Sequence, residues 1–236
     1  MEIKVQKRDD AVTNPIRMRK YLFLLMTVLT VGGFFSSCSN DDTDTSEFHD
    51  WKNRNDVFFD SVRTLGLDSM KQAQRLYGDN WEDHCNWRTY LSYSLDDSVA
   101  NTSKDSLYVQ IIKRGTGSGC PYGSDSCRVF YRGRIIPSAS YPGGYVFSHS
   151  GQSTIYNDIF NRNLSVPSIK KATTFVHGFT TALLHMHIGD RWRLYMSYPL
   201  GYGSSTAGTI PAYSDMIYEV ELVAYYRNGT VVPPWN

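Results

Sequence analysis

Seven side chains in the C-terminal half of the chain could hold a small apolar ring between them: Tyr131, Phe147, Val176, Phe179, Tyr202, Ile210 and Tyr218. They come from well-separated segments. Brought together, they would line an apolar pocket carrying a few hydroxyls. Such a pocket suits an apolar ring bonded to a carbonyl, a prolyl residue being one example. The same residues would serve equally as plain core, since aromatic and aliphatic side chains fill interiors whatever the function. Other chemistries are less well provided for. Ser148, His149 and Ser150 are adjacent, but a catalytic triad needs groups converging from separate elements on an oxyanion site, and no nucleophile elbow is present. No glycine-rich loop fits a phosphate cradle. There is no Cys-x-x-Cys pair and no finger-like Cys/His spacing, and His185 and His187 read as loop surface, so neither a metal nor another cofactor is expected.

The elements that must position the seven begin at Ser106. "SLYVQIIKRG" and "CRVFYRGRII" alternate as strands do, with the turn cluster "TGSGCPYGSDS" between them, and "YVFSHS" follows after another loop. "TFVHGFTTALLHMHIGD" carries a helical pattern through Phe179, Ala182, Leu183 and Met186, ended by Gly189. Two further alternating stretches flank the loop "GYGSSTAGTIP". This reads as an α+β domain over 106–236, an antiparallel sheet of about five or six strands wrapped on one short helix, with a helical N-terminal extension. That extension, 51–105, has apolar residues at helical spacing (Val57, Phe58, Val62, Leu65, Met70, Ala73 and Leu76), with a break expected at Gly66 and a cap at Gly78. Trp81 and Trp87 are expected to pack on the next domain. Asp-Ser followed by an apolar residue recurs at Asp60, Asp68, Asp97 and Asp105. This resembles an O-glycosylation acceptor of exported bacterial proteins, and helix capping accounts for it equally.

The first 37 residues read as a signal peptide of lipoprotein type. Arg17, Arg19 and Lys20 precede an apolar stretch from Tyr21 to Phe35, and Ser36 and Ser37 lead into Cys38. The apolar stretch is about fifteen residues, short of the roughly twenty that span a bilayer. Cys38 after a small pair resembles a bacterial lipobox, making it the expected site of lipidation and membrane attachment. An uncleaved anchor helix is the alternative, and Met18 is an alternative start. Residues 38–50, acidic and nearly free of apolar side chains, read as a flexible tether. The expected location is the cell envelope, lipid-anchored, facing either the periplasm or the surface. Export places the remaining cysteines in an oxidising compartment, and the turn-rich segment between Cys120 and Cys127 favours a disulfide there, leaving Cys85 free. Formal net charge is +1, with basic residues scattered and not striped, so no nucleic-acid partner is expected.

Several short motifs, in order and at the right spacing, carry a resemblance over about residues 106–226. They are "VFYRG" with Tyr131, "GYVFSHS" with Phe147, "FVHGF" with Phe175, Val176 and Phe179, "MHIGDR", "SYPLGYG" with Tyr202, Ile210-Pro211, and "MIYEVEL" with Tyr218. Together they resemble the FKBP-type peptidyl-prolyl isomerases. The resemblance implies that the seven residues form the catalytic pocket and that Phe179 is its floor. It implies that the Val176 N–H and the Tyr202 hydroxyl each reach a substrate carbonyl, and that Ile210 packs on the proline ring. It also implies proline-containing polypeptides as substrates, a macrolide as a ligand of the pocket, and a role in folding envelope or exported proteins. The chain departs from the family at Ser148, where an acidic residue normally pairs with the hydroxyl at the Tyr131 position. Phe179 replaces a tryptophan, and Tyr218 replaces a phenylalanine. The loop before Phe175 follows no family pattern, with Val166 nearest to its second pocket phenylalanine. A non-catalytic FKBP-like binding module or chaperone is the alternative these departures leave.

Overall fold

A single buried stripe organises the N-terminal segment. Trp51, Asn55, Phe59, Val62, Gly66, Met70 and Ala73 recur every three or four residues and are buried along one uninterrupted helix, α1, Trp51–Tyr77. The break expected at Gly66 does not occur. Gly66 lies in the stripe itself, where a Cβ would stand 3.0 Å from the ring of Trp87. The glycine costs about 1 kcal/mol of helix propensity and admits the indole in return. Because the stripe runs there, Val57, Leu65 and Leu76 are exposed and not part of it. Gly78, at φ 54, ends the helix as expected. A short helix α2, Trp81–His84, follows.

The computed structural model describes residues 46–96, 102–151, 160 and 162–235. The signal segment, Cys38 and Asp97 lie outside the described residues. Residues 46–50, read as tether, pack on the domain: Glu47 accepts from the Ser140 N–H and hydroxyl, and Phe48 meets Trp51 edge-on at 4.9 Å. The Asp-Ser pairs at 60 and 68 sit inside α1, where Ser61 and Ser69 donate back to the carbonyls of Phe58 and Leu65, so they cap nothing. Asp105 does complete a capping box with Thr102.

The strands are β1 Trp87–Leu91, β2 Ser106–Lys113, β3 Ser126–Ile135, β4 Val146–His149, β5 Ser168–Lys171, β6 Arg191–Met196 and β7 Met216–Tyr226. They form an antiparallel seven-stranded sheet in the order β1-β2-β6-β7-β3-β4, with β5 on β3. Six of them, β2 to β7, lie within 106–236 as expected, and the seventh, β1, is added from the segment read as helical. Alternation along each strand divides residues between two faces. Leu107, Val109, Leu194, Met196, Tyr218 and Val220 face the core helix α3, His177–Leu183, which seats Phe179, Ala182 and Leu183 on them. Gly178 permits the close approach: a Cβ there would lie 2.4 Å from the Met196 sulfur. The regular helix closes at Leu183, ahead of the expected stop, and passes through i→i+3 turns at His185 and Met186 before Gly189 at φ 93. The opposite face, over β1, β2 and β6, takes α1 through Phe59, Tyr108, Trp87 and Tyr195.

The disulfide expected between Cys120 and Cys127 is absent, and Cys85, Cys120 and Cys127 are all free thiols. Cys127 occupies a core-facing position of β3 and is fully buried, whereas the Cys120 sulfur stands 3.7 Å from Nδ1 of His187. The turn between them closes through hydrogen bonds instead: Asp125 donates its N–H to the Tyr122 carbonyl and accepts from the Tyr122 N–H. Burial pushes the Cys127 thiol up to about 12, which keeps it unreactive. Burial and the Asp190 carboxylate also raise the Cys120 thiol, so alkylation of the native protein, mapped by mass spectrometry, is expected to modify the half-buried Cys120 slowly and Cys85 and Cys127 only after unfolding. A Cys120–Cys127 cross-linked peptide in the unreduced digest would contradict this.

Candidate active site

The sheet and α3 converge on one group of rings. Tyr131 comes from β3, Phe147 from β4 and Tyr218 from β7. Phe179 comes from α3, and Phe175 from the turn before it. Phe179 meets Tyr218 edge-on at 5.1 Å and Tyr131 edge-on at 5.6 Å, and it stacks on Phe175 at 4.3 Å. Phe147 meets Tyr218 edge-on at 5.6 Å. Edge-to-face pairs of this kind add about 0.5–1.5 kcal/mol each beyond area burial and fix ring orientation. Phe179 and Tyr218 are buried, while Tyr131, Phe147, Phe175 and Val176 are half-buried. The group is thus buried at Phe179 and Tyr218 and partly open to solvent at its other members.

Local sequence explains the placement. Tyr218 pairs across the ladder with Gly133, and a Cβ on Gly133 would stand 2.4 Å from the Tyr218 ring, so the glycine makes room for the larger side chain. Ser150 holds Tyr131 at both backbone groups, its Oγ accepting from the Tyr131 N–H at 3.0 Å and its N–H donating to the Tyr131 carbonyl at 2.9 Å. Val176 is the N-cap of α3 in extended conformation, φ −61 and ψ 155, and its carbonyl accepts from Thr180. Ser148, at the family's acidic position, lies opposite Gly133 on β4.

Tyr202 and Ile210 sit at the two ends of a loop closed by reciprocal hydrogen bonds between Ala207 and Ile210. Tyr202 is 43% exposed, and its phenol lies near enough to those of Tyr131 and Tyr218 to interact with them electrostatically. Burial raises the pKa of its phenol, and the Tyr131 phenol raises it further. Burial holds the Tyr218 phenol far above its ordinary value, with Tyr202 and Tyr131 adding to the effect. The Tyr202 and Tyr218 hydroxyls share one locality and stay neutral donors near neutral pH. Ile210 is buried in a neighbouring cluster with Trp51, Ile135 and Ile136, and Phe147 borders both groups. Val166, by contrast, is 55% exposed and lies outside the rings.

The residues that sequence reasoning missed belong to α1. Trp51 donates from Nε1 to the Ser214 hydroxyl at 2.8 Å, and Ser214 donates to the Pro211 carbonyl at 2.7 Å. Asn55 accepts from the Asp215 N–H at 2.8 Å and donates to the Trp51 carbonyl at 2.6 Å. Helix α1 thus clamps the end of the loop that carries Ile210. A polar Asn at a helical core position was the available signal. Asp215 is buried; its Oδ1 accepts from the Tyr198 N–H at 2.8 Å, and its Oδ2 has no partner among the described residues.

Aromatic walls and hydroxyls of this kind can bind an apolar ring and stabilise one of its conformations. The comparisons with known proteins agree with that class. Residues 121–223 match the sequence profile of the FKBP-type peptidyl-prolyl cis-trans isomerases. The macrophage infectivity potentiator of Trypanosoma cruzi is 30% identical over 170 residues, 72% of this chain and 76% of that protein. The FKBP-type 22 kDa peptidyl-prolyl cis-trans isomerase of Escherichia coli K12 is 27% identical over 135 residues, 57% of each chain. A solved peptidyl-prolyl cis-trans isomerase from Pseudomonas syringae is 20% identical with a TM-score of 0.42, covering 71% of this chain and 96% of its own. The chain belongs to the FKBP-type peptidyl-prolyl cis-trans isomerases.

Asp215 gives the clamp a pH dependence. Burial, chiefly, raises its pKa from 3.8 to about 7, the Asp56 carboxylate adding to the rise and the Tyr198 N–H opposing it. A carboxyl raised in the folded state contributes stability that is complete below its unfolded pKa and is lost as pH rises through the folded one. Asp215→Asn is expected to flatten the fall in stability between pH 4 and about 7 and to leave the variant more stable than wild type at pH 8. Urea unfolding at pH 4, 6 and 8 checks this; superimposable pH profiles would show that the carboxyl is not desolvated.

Proposed function

We propose that the ring group is the catalytic pocket, binding the proline of an X–Pro segment and lowering the barrier to rotation about its amide. The supporting observation is the meeting of Tyr131, Phe147, Phe175, Phe179 and Tyr218, with ring centroids between 4.3 and 6.2 Å apart, beneath a loop ending in Tyr202 and Ile210. Amide resonance sets the rotation barrier at roughly 18–20 kcal/mol. The planar form has the greater charge separation, so a dry apolar pocket favours the twisted one. Phe179 and Tyr218 form the floor, and Phe147, backed by Ile210, forms the wall. The Val176 N–H and the Tyr202 hydroxyl hold the flanking carbonyls in the geometry of the twisted amide. Such contacts accelerate only in so far as they are stronger in the transition state. A macrolide with a prolyl-like ring occupies the same space and inhibits.

Phe147→Ala is expected to lower kcat/KM by about tenfold or more, equivalent to about 1.4 kcal/mol of transition-state stabilisation, and Tyr202→Phe by less. Proline-limited refolding of a reporter protein measures both, with circular dichroism confirming that the variants fold. Full activity in a folded Phe147→Ala variant would place catalysis elsewhere and favour the binding-module reading.

In the cell the protein acts at the envelope, held through a lipid on Cys38, and assists the folding of exported proteins. The order of basic residues, apolar stretch, Ser36-Ser37 and Cys38 supports this. Metabolic labelling with an alkynyl fatty acid is expected to tag the chain and to fail in Cys38→Ser. Equal labelling of both would place the lipid on another residue.

A further inference from the structure

The sheet face opposite the ring group carries a second feature. Arg193 on β6, Glu219 on β7 and Arg132 on β3 stand side by side across three strands, with Ile217 and Arg134 on the next rung. With Gly143 and Phe160 they line a cavity of about 350 Å³. Helix α1 packs on the β1–β2–β6 part of this face, and the cavity occupies the part over β7 and β3, reaching β6 at Arg193.

Three arginines here face one glutamate. That glutamate is already engaged: Glu219 accepts from Arg191 Nε at 2.7 Å and from its Nη2, with Arg193 Nη2 at 3.7 Å. The neighbouring Glu221 takes Arg162 at 3.0 Å. Arg134 donates to a neutral acceptor, the Gly143 carbonyl, at 2.7 Å. Among the described residues, the lining therefore holds two more positive charges than negative ones on a partly dry surface. Burial lowers the Arg134 pKa first, and repulsion from Arg132 and Arg193 lowers it further, which is the cost an anion would relieve. Phe160, its ring held under the Arg191 guanidinium at 4.4 Å, adds an apolar wall.

We propose that this cavity binds a small phosphate monoester, the phosphate on Arg132, Arg134 and Arg193 and the organic group against Phe160 and Ile217. A phosphate monoester carries nearly two negative charges near neutral pH, matching the excess. Its tetrahedral oxygens accept from guanidinium forks arriving from separate strands. The volume fits a small molecule. A lipid could present the same head group; the size of the cavity favours the soluble ester.

Calorimetric titration of the full chain with phenyl phosphate, inorganic phosphate and phenol tests this. Phenyl phosphate is expected to bind with a dissociation constant of about 1 mM or below, inorganic phosphate more weakly, and phenol not measurably. Arg134→Gln and Arg193→Gln are each expected to weaken phenyl phosphate by about tenfold or more, with Arg134→Lys intermediate because it keeps the charge and loses the fork. Isomerase activity of all three variants is expected to match wild type, since the cavity lies across the sheet from the rings, and this also controls for folding. Absence of binding up to about 20 mM, or equal affinity in wild type and both glutamine variants, would overturn the proposal. Binding to phosphatidic acid vesicles without binding to phenyl phosphate would overturn the soluble-ester assignment.

Discussion

The register between β3 and β7 is the constraint on which both faces of the molecule depend. The pairing runs from Ser126 opposite Tyr226 to Ile135 opposite Met216, with one bulge between Arg128 and Val129. It sets Gly133 against Tyr218, the arrangement that lets a tyrosine ring lie where a Cβ would otherwise stand. The same register sets Arg132 against Glu219 and Arg134 against Ile217 on the other face. A slip of one residue would exchange the two sets, burying arginines under α3 and exposing the rings. Burying unpaired guanidinium groups is so unfavourable that the alternation itself specifies the register.

Helix α1 stabilises this arrangement from outside the domain that carries the family motifs. Its apolar stripe covers Tyr108 and Tyr195 on the outer face, and its first turn reaches the segment from Pro211 to Asp215. The loop bearing Tyr202 is thereby anchored by α1 at its Ile210 end and by backbone hydrogen bonds of Gly203 to Tyr198 and Tyr213 at its Tyr202 end, where the Tyr202 side chain is partly exposed.

Much of this was legible in the sequence. The strands from Ser106 onward and the helix around Phe179 follow from alternation and helical spacing, and the motif order around Tyr131, Phe147 and Tyr218 gave the family. The errors share a physical origin. Gly66 read as a break because propensity is local, whereas its role is to admit Trp87 from a distant strand. Trp87–Leu91 did not read as a strand because its aromatic residues pack on two different elements and blur the period of two. Cys120 and Cys127 are near in sequence, but the strand alternation that buries Cys127 cannot be judged from spacing alone. The clamp formed by Trp51, Asn55, Ser214 and Asp215 joins residues more than 150 positions apart, and its one local mark is the polar Asn55 within the apolar stripe of α1.

The central claim is that this pocket catalyses rotation by its shape and dryness, without an acid or base and despite serine at position 148. NMR exchange spectroscopy on an X–Pro peptide, with catalytic amounts of the full chain in H2O and in D2O, addresses it most directly. The account predicts cis–trans exchange far above the uncatalysed timescale of tens to hundreds of seconds, at nearly equal rates in the two solvents. No acceleration by the folded protein, or a rate lower by about twofold or more in D2O, would contradict it.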